Sequence, residues 1–309
     1  MTCRVCLLKS YSELELLGTQ VQYEGNIIRP PSEAHSIILQ VSVGCSHNRC
    51  TFCGAYKGKR FRIKDQVTIR QDIDFAAKYC KRQHRVFLAD GDALVIPTDR
   101  LADIFATIRQ ELPWVNRVSL YANAKSILRK SIAELQQFKK MGLDRVYLGL
   151  ESGHDPILKQ ISKGVTSTEM IMAAEMVRSA GLFLSVTVLL GIAGIDASEP
   201  HARDTGFVLT RMKPNQIAAL TLMLLENTPL YDDAACGSFL MPDQKGLLRE
   251  LQIMVENIHL ERVQFQTNHA SNYLPLSGRL SKDTEMILQT IKEAMAGRHL
   301  LRLENQRAL

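Results

Sequence analysis

Six short runs rich in β-branched and aromatic residues, at 36–43, 85–89, 117–121, 145–150, 182–190 and 216–223, constrain the fold more than anything else in this 309-residue chain. Patterns of helical period separate them, at about residues 68–82, 97–112, 131–141, 167–180 and 199–212. Strands joined by helical crossovers make a parallel sheet. A flat doubly wound sheet fits that alternation as well as a barrel does. The residues just past the strands decide between them: Gly44-Cys45, Asp90-Gly91-Asp92, Ala122-Asn123, Glu151-Ser152-Gly153 and Gly191-Ile192-Ala193-Gly194. Polar and glycine residues at the carboxyl ends of many consecutive strands are what a barrel gathers around one mouth, so a partial barrel of six strands is expected. It spans 36–225, after an N-terminal extension 1–35 containing the stiff Arg29-Pro-Pro-Ser32 link. The extension 226–309 reads as mainly helical, with helices near 245–258 and 281–296 around the polar segment Thr267-Asn-His-Ala-Ser-Asn-Tyr273.

Three cysteines, Cys45, Cys50 and Cys53, follow the first strand at C-x4-C-x2-C. Three thiolates on a short loop can hold three irons of a four-iron, four-sulfur cluster and leave the fourth iron open to a ligand. Zinc is the competing reading. His47 could join the three cysteines, or Cys3-x2-Cys6 could join Cys50-x2-Cys53, although 43 residues separate those pairs where a zinc ribbon has roughly 15 to 20.

Composition agrees with an enzyme without naming one. At 46% hydrophobic residues the chain can bury a large core. The 38 basic and 32 acidic residues leave a charge of +6, too little to indicate nucleic acid. Part of the excess is local, in Lys57, Lys59, Arg60, Arg62 and Lys64, where a solvated loop competes with a face for an anionic substrate, an electron-donor protein or RNA. No apolar run reaches a membrane span and no secretory leader precedes the chain, so a cytoplasmic protein with no membrane partner is expected. Seven cysteines, odd in number and partly clustered, point to metal ligation rather than disulfides. Cys80 reads as a buried inert thiol, and Cys236 has no assigned role.

The cysteine loop, with Phe52 just before its last cysteine, resembles that of the radical S-adenosylmethionine enzymes. Leu148-Gly-Leu-Glu-Ser-Gly-His-Asp-Pro-Ile-Leu-Lys-Gln-Ile-Ser-Lys163-Gly164 is similar to the fourth-strand motif of the branch with oxygen-independent coproporphyrinogen oxidases, methylthiotransferases and elongator-type enzymes. The resemblance covers roughly 36–223, and it implies the family's partial (β/α)6 TIM-like barrel. The extra residue between Cys45 and Cys50, against the family's usual C-x3-C-x2-C, marks a distinct subgroup. Arg29-Pro-Pro-Ser-Glu33 and Asn268-His-Ala-Ser-Asn272 also resemble a bacterial subgroup of that family.

What the resemblance implies is a [4Fe-4S] cluster on Cys45, Cys50 and Cys53 whose open iron chelates S-adenosylmethionine. One electron then yields methionine and a 5′-deoxyadenosyl radical that abstracts hydrogen from a substrate. Asp90, Gly91 and Asp92 stand where the family often has Gly-Gly-Glu, and a carboxylate there can accept from the methionyl ammonium. Glu151 and Ser152 are expected at the ribose hydroxyls or methionyl end. Gly191 to Gly194 offer backbone to the adenine, Phe52 packs beside it, and Asn123 sits at the end of the third strand. In the polar segment His269 and Tyr273 are the candidates to act on the substrate. A small-molecule substrate and an electron donor such as flavodoxin or ferredoxin are the expected partners, with an RNA substrate as the alternative. A non-catalytic zinc or iron-sulfur electron-transfer module is the reading from another class. With about 35 residues before the first strand and one cysteine after the barrel, a cobalamin domain and auxiliary clusters are not expected.

Overall fold

The computed structural model describes residues 21–308, so Cys3 and Cys6 lie outside the described residues. The first expected strand is divided in two. β1 (Ile37–Gln40) lies in the main sheet, while β2 (Ser42–Val43) turns away to pair antiparallel with β3 (Arg62–Ile63). Val41 makes the turn between them: its N–H bonds to Ala89 O and its carbonyl accepts from Lys64 N. The cysteine segment is therefore the loop of a β-hairpin, closed at its base by β2 and β3.

β4 (Arg85–Ala89), β5 (Arg117–Ala122), β6 (Leu143–Glu151), β7 (Phe183–Leu190) and β8 (Gln216–Thr221) follow β1 in the sheet in sequence order. A doubly wound sheet would reverse its order at a switch point, and this order does not. Helices fill the crossovers: α1 (Gln66–Tyr79), α2 (Thr98–Glu111), α4 (Ile132–Lys140), α6 (Ser167–Ser179) and α7 (Ser198–Met212) lie where the apolar period placed them, and the short α3 (Ala124–Leu128) and α5 (Asp155–Gln160) are additional. Their starts carry side-chain caps that the sequence supplies. Asp65 accepts from Thr68 N ahead of α1, and Ser131 with Glu134 forms a reciprocal capping box on α4.

The chain forms two compact units, and the division falls within β6, between Tyr147 and Leu148. The first holds the residues up to Asn48, Gly58–Tyr147 and Ser179–Leu182. In it β1, β4 and β5 pair in parallel, and Val86 to Ala89 of β4 are all fully buried, as a parallel strand covered on both faces requires. Phe87, Tyr121 and Tyr147 meet edge to face with ring centroids 5.1 to 6.1 Å apart, and Phe105 of α2 packs on Phe138 of α4.

The second unit holds Arg49–Lys57, Leu148–Arg178 and the chain from Phe183 onward. β7 and β8 pair in parallel there, and the C-terminal extension continues the sheet. After α8 (Pro229–Ala235) and α9 (Gln244–Glu256), β9 (Val263–Gln266) adds parallel to β8, β10 (Ser277–Leu280) pairs back antiparallel, and α10 (Thr284–Met295) follows. The extension is thus helical with two strands that the sequence reading did not include. Val263-Gln-Phe-Gln266 does alternate at period two, but over only four residues, too short a run to register beside the polar segment after it.

Asn272 of that polar segment fastens the extension to β8. It accepts from Thr221 Oγ1 at 2.8 Å and donates to the carbonyls of Ala219 and Thr267, each at 2.9 Å, with almost no exposure. Removing it strands three buried polar groups. Asn272→Ala should lower unfolding stability by about 3 kcal/mol in urea titration. A loss below about 1 kcal/mol would show that the fastening is not structural.

Candidate functional site

In the first unit the groups past β4 and β5 are organised by two buried carboxylates. Asp90 accepts from Gly44 N and from Gln40 Nε2 through Oδ2, both at 3.0 Å, while its buried Oδ1 has no protein partner. Gly91 N donates to Gly44 O at 3.2 Å, so the Asp90-Gly91 turn holds the backbone just ahead of Cys45 from both sides. Gly44 itself has φ +84°, a conformation natural only to glycine. Burial raises the Asp90 carboxyl above its ordinary range.

Asp92 faces away from such a role. Its oxygens accept from Ser46 Oγ, Ser126 Oγ, Asn123 Nδ2 at 2.6 Å and, more weakly, Asn123 N. Asn123 in turn caps α3 by accepting from Ser126 N at 2.8 Å. Asp92 and Asn123 hold each other, and Asp92 holds the residue after Cys45. Neutral donors only partly offset the cost of burial, and the Asp92 carboxyl is pushed up to about 6.

The basic run after the cysteines is less basic at its surface than its sequence. Lys64 is fully buried with Asp72 3.6 Å away, and Arg62 pairs with Glu24.

In the second unit the later part of the cysteine loop is clamped from two directions. Thr51, between Cys50 and Cys53, donates its N–H to Ile161 O at the end of α5 and accepts from Leu230 N at the start of α8, each at 3.0 Å. Asn227 Nδ2 bonds to Gly54 O at 3.0 Å, and a Cβ on Gly54 would run into the Asn227 side chain. Lys57 Nζ donates to Cys50 O at 3.0 Å. Phe52 packs on an apolar cluster that includes Ile157, Ile161, Ile192, Ala193 and Leu230.

Glu151 ends β6 in the left-handed region, φ +64°, a conformation that costs a side-chain-bearing residue about 1 kcal/mol or more. Lys163 compensates with an ion pair at 2.8 Å, both side chains nearly buried, and Gly149 leaves the room the pair occupies. Lys163 was quoted in the motif but given no role; the lone lysine after a helix carried no signal until the fold brought it to Glu151.

Ser152 is fully buried. Its Oγ lies 2.8 Å from His201 Nδ1 and accepts from His154 N at 3.0 Å. Gly191, φ +82°, and Gly194, φ +66°, make the expected glycine turn after β7. The Gly191 N–H is taken by Glu250 Oε1 at 2.6 Å.

His269 and Tyr273 are held within the C-terminal segment. Ser271 N donates to His269 Nδ1 at 3.1 Å, and Ser271 Oγ, which accepts from Thr221 N, donates to the same nitrogen. The ring proton therefore sits on Nε2. Burial, then the nearby Arg302, lowers the His269 pKa. Tyr273 lies under the Arg307 guanidinium, 4.2 Å from ring centroid, with its hydroxyl on Glu304 and Arg307. Burial, then Glu304, raises its phenol.

Among the described residues no three Cys, His, Asp or Glu side chains converge on a point, as a single zinc ion needs. A cubane cluster puts each thiolate on a different iron and needs no such point. Cys45, Cys50 and Cys53 are all partly exposed. In the first unit the unmet Asp90 Oδ1 can accept a hydrogen bond, and in the second the Glu151–Lys163 pair presents adjacent opposite charges. Among the described residues, too, no helix is long and apolar enough to cross a membrane.

Comparison with known proteins agrees. The sequence model of the radical SAM superfamily matches residues 39–204, more than half of the chain. The 4′-phospho-dehydrooxetanocin synthase of Priestia megaterium is 26% identical over 239 residues, 71% of this chain and 31% of that protein. The tRNA uridine(34) acetyltransferase of Methanocaldococcus infernus is 27% identical over 108 residues, 34% of this chain and 20% of its own. The chain thus spans a third or less of these relatives' length. Among solved structures, methylornithine synthase superposes with a TM-score of 0.51 at 16% identity, covering 84% of this chain and 73% of its own, which shows the shared barrel fold.

The Asp92 carboxyl gives a pH signature. Its folded pKa of about 6 exceeds the model-compound 3.8, so the folded state binds the extra proton between those values and stability falls as pH rises through them. Two pKa units correspond to about 3 kcal/mol. Relative to the native protein, Asp92→Asn should gain stability on going from pH 4 to pH 7 in denaturant titrations. An unchanged difference across that range would remove Asp92 as the cause.

Proposed function

The chain belongs to the radical S-adenosylmethionine superfamily, whose enzymes work with a [4Fe-4S] cluster and S-adenosylmethionine, and we propose that it generates a 5′-deoxyadenosyl radical to take hydrogen from a small-molecule substrate. The observation that carries this reading is a three-cysteine loop inside the matched region whose backbone is pinned at Thr51 and Gly54. When bound, the cluster and cofactor supply electron transfer and reductive cleavage. The chain's own residues would supply the rest.

Cys45, Cys50 and Cys53 would hold three irons. Asp90 Oδ1, buried and unmet, would accept from the methionyl ammonium, with Gly91 allowing close approach. Glu151 and Lys163 present adjacent opposite charges to the other polar groups of the cofactor, and the lysine can turn from its carboxylate partner to an incoming one. Asp92, Asn123 and Ser152 would act one step back, fixing the loops that carry contacts. Gly191, Gly194 and Phe52 would form the adenine wall. His269 would offer an Nε2 donor toward substrate and Tyr273 a hydroxyl kept protonated by burial. The extension from 226 onward would shape the pocket they serve.

A reductant of the flavodoxin or ferredoxin kind would provide the electron, and thiols that must meet iron unoxidised suit the cytoplasm. An RNA substrate, suggested by the tRNA-acting relative, finds less support, because burial of Lys64 and pairing of Arg62 dilute the basic run.

Protein reconstituted without oxygen should hold about four irons and, with dithionite and S-adenosylmethionine, form 5′-deoxyadenosine. A Cys45, Cys50, Cys53 triple alanine variant should do neither. Zinc in place of iron, with no deoxyadenosine, would sink the reading. Lys163→Ala should keep its iron but bind S-adenosylmethionine about tenfold more weakly in equilibrium dialysis; native affinity would leave the lysine a purely structural partner of Glu151.

A further inference from the structure

Helix α9 buries Leu247, Leu251, Met254 and Val255, and among them one carboxylate: Glu250 has no exposure at all. A buried ionised carboxylate costs several kcal/mol unless its lone pairs are filled, and the groups filling these are informative. Oε1 accepts from Gly191 N at 2.6 Å, and Oε2 accepts from Ser198 Oγ, the first residue of α7. His201, equally buried, lies with Nε2 3.4 Å from Oε1, near enough for charge–dipole attraction though not aligned as a hydrogen bond. Its other nitrogen meets Ser152 Oγ at 2.8 Å, and Ser152 Oγ accepts the N–H of His154 at the start of α5. α5 ends at Ile161, whose carbonyl holds Thr51 between Cys50 and Cys53.

Close packing makes this chain of contacts stiff. Gly153 lets the backbone after β6 lie against Asp204 and Thr205 of α7, where a Cβ would come within 2.5 to 2.7 Å of backbone atoms. Its N–H also bonds to Thr205 Oγ1 at 2.8 Å. Gly206 does the same between α7 and α9, where a Cβ would stand 2.8 Å from Met254 O. No slack is left between α9 and the loops after β6 and β7.

We propose that Glu250 is a positioning residue for S-adenosylmethionine: from the C-terminal extension it sets the Gly191–Gly194 turn directly, and the Ser152 loop and cysteine loop through His201. The proposal rests on the function above and adds that α9, outside the matched region, is part of the cofactor-binding machinery. Gly191 has no other acceptor for its N–H among the bonds described, and the turn it begins carries Ile192 and Ala193, which pack with Phe52. Shifting that turn would move the adenine wall.

The test uses the full chain, reconstituted without oxygen, with three readouts: iron content, S-adenosylmethionine dissociation constant by equilibrium dialysis of the oxidised protein, and the spectral change of the reduced cluster on adding the cofactor. Glu250→Leu keeps the volume and suits the apolar helix, so its melting temperature should be held while cofactor affinity falls about tenfold and the spectral change shrinks. Glu250→Gln, whose amide oxygen can still accept from Gly191, should restore affinity to within about threefold of native. Glu250→Leu with native affinity and a native spectral change would overturn the proposal. Should that variant not fold, His201→Leu is read by the same criterion. A native protein that holds iron but binds no S-adenosylmethionine would instead sink the function on which the proposal stands.

Discussion

Each loop leaving a parallel strand carries backbone N–H groups that the sheet no longer satisfies, and this protein meets several of them with buried carboxylates. Asp90 takes Gly44 N, Asp92 takes Asn123 N, and Glu250 takes Gly191 N. Burying a carboxylate to hold an amide is costly, and at Asp90 and Asp92 hydrogen-bond donors offset that cost only in part. The gain is geometric. A carboxylate with two oxygens can bind a loop on one side and a helix on the other, as Glu250 does with Gly191 and Ser198, and one oxygen can gather two donors, as Asp92 Oδ2 does with Ser46 and Ser126.

The longer helices and most strands were legible in the sequence because their apolar period is set by burial on known faces, while the short α3, α5 and α8 were not. β4 falls on the residues expected, and α6, α7 and α9 differ from expectation by one or two residues at an end. The break between β1 and β2 was not legible, since Val41 is as good a strand residue as its neighbours and turns only because Ala89 and Lys64 meet it in space. β10 was hidden for another reason. Ser277-Gly-Arg-Leu280 has little strand propensity and forms because β9 offers it a free edge.

The candidate site was legible where chemistry is local. Three thiols and a run of strand-end glycines declare themselves by spacing. The roles of Asp92, Asn123 and Ser152 did not, because a polar residue after a strand reads the same whether it faces a ligand or a neighbouring loop. Position in sequence places such a residue at the mouth; only the fold turns its side chain. His201 and Glu250 had no local signal of partnership, being separated by 49 residues and meeting through tertiary packing.

The clamp on the cysteine loop joins residues far apart in the chain: Gly54 is held by Asn227, 173 positions later, and Thr51 by Leu230. Such contacts form late, because the intervening chain must close first. As the protein emerges from the ribosome, the thiols are exposed early while the backbone that pins them waits for a segment near residue 230. Until that segment arrives the loop is unpinned, and the interval before it is when stray oxidation of the thiols would do most harm to its final shape.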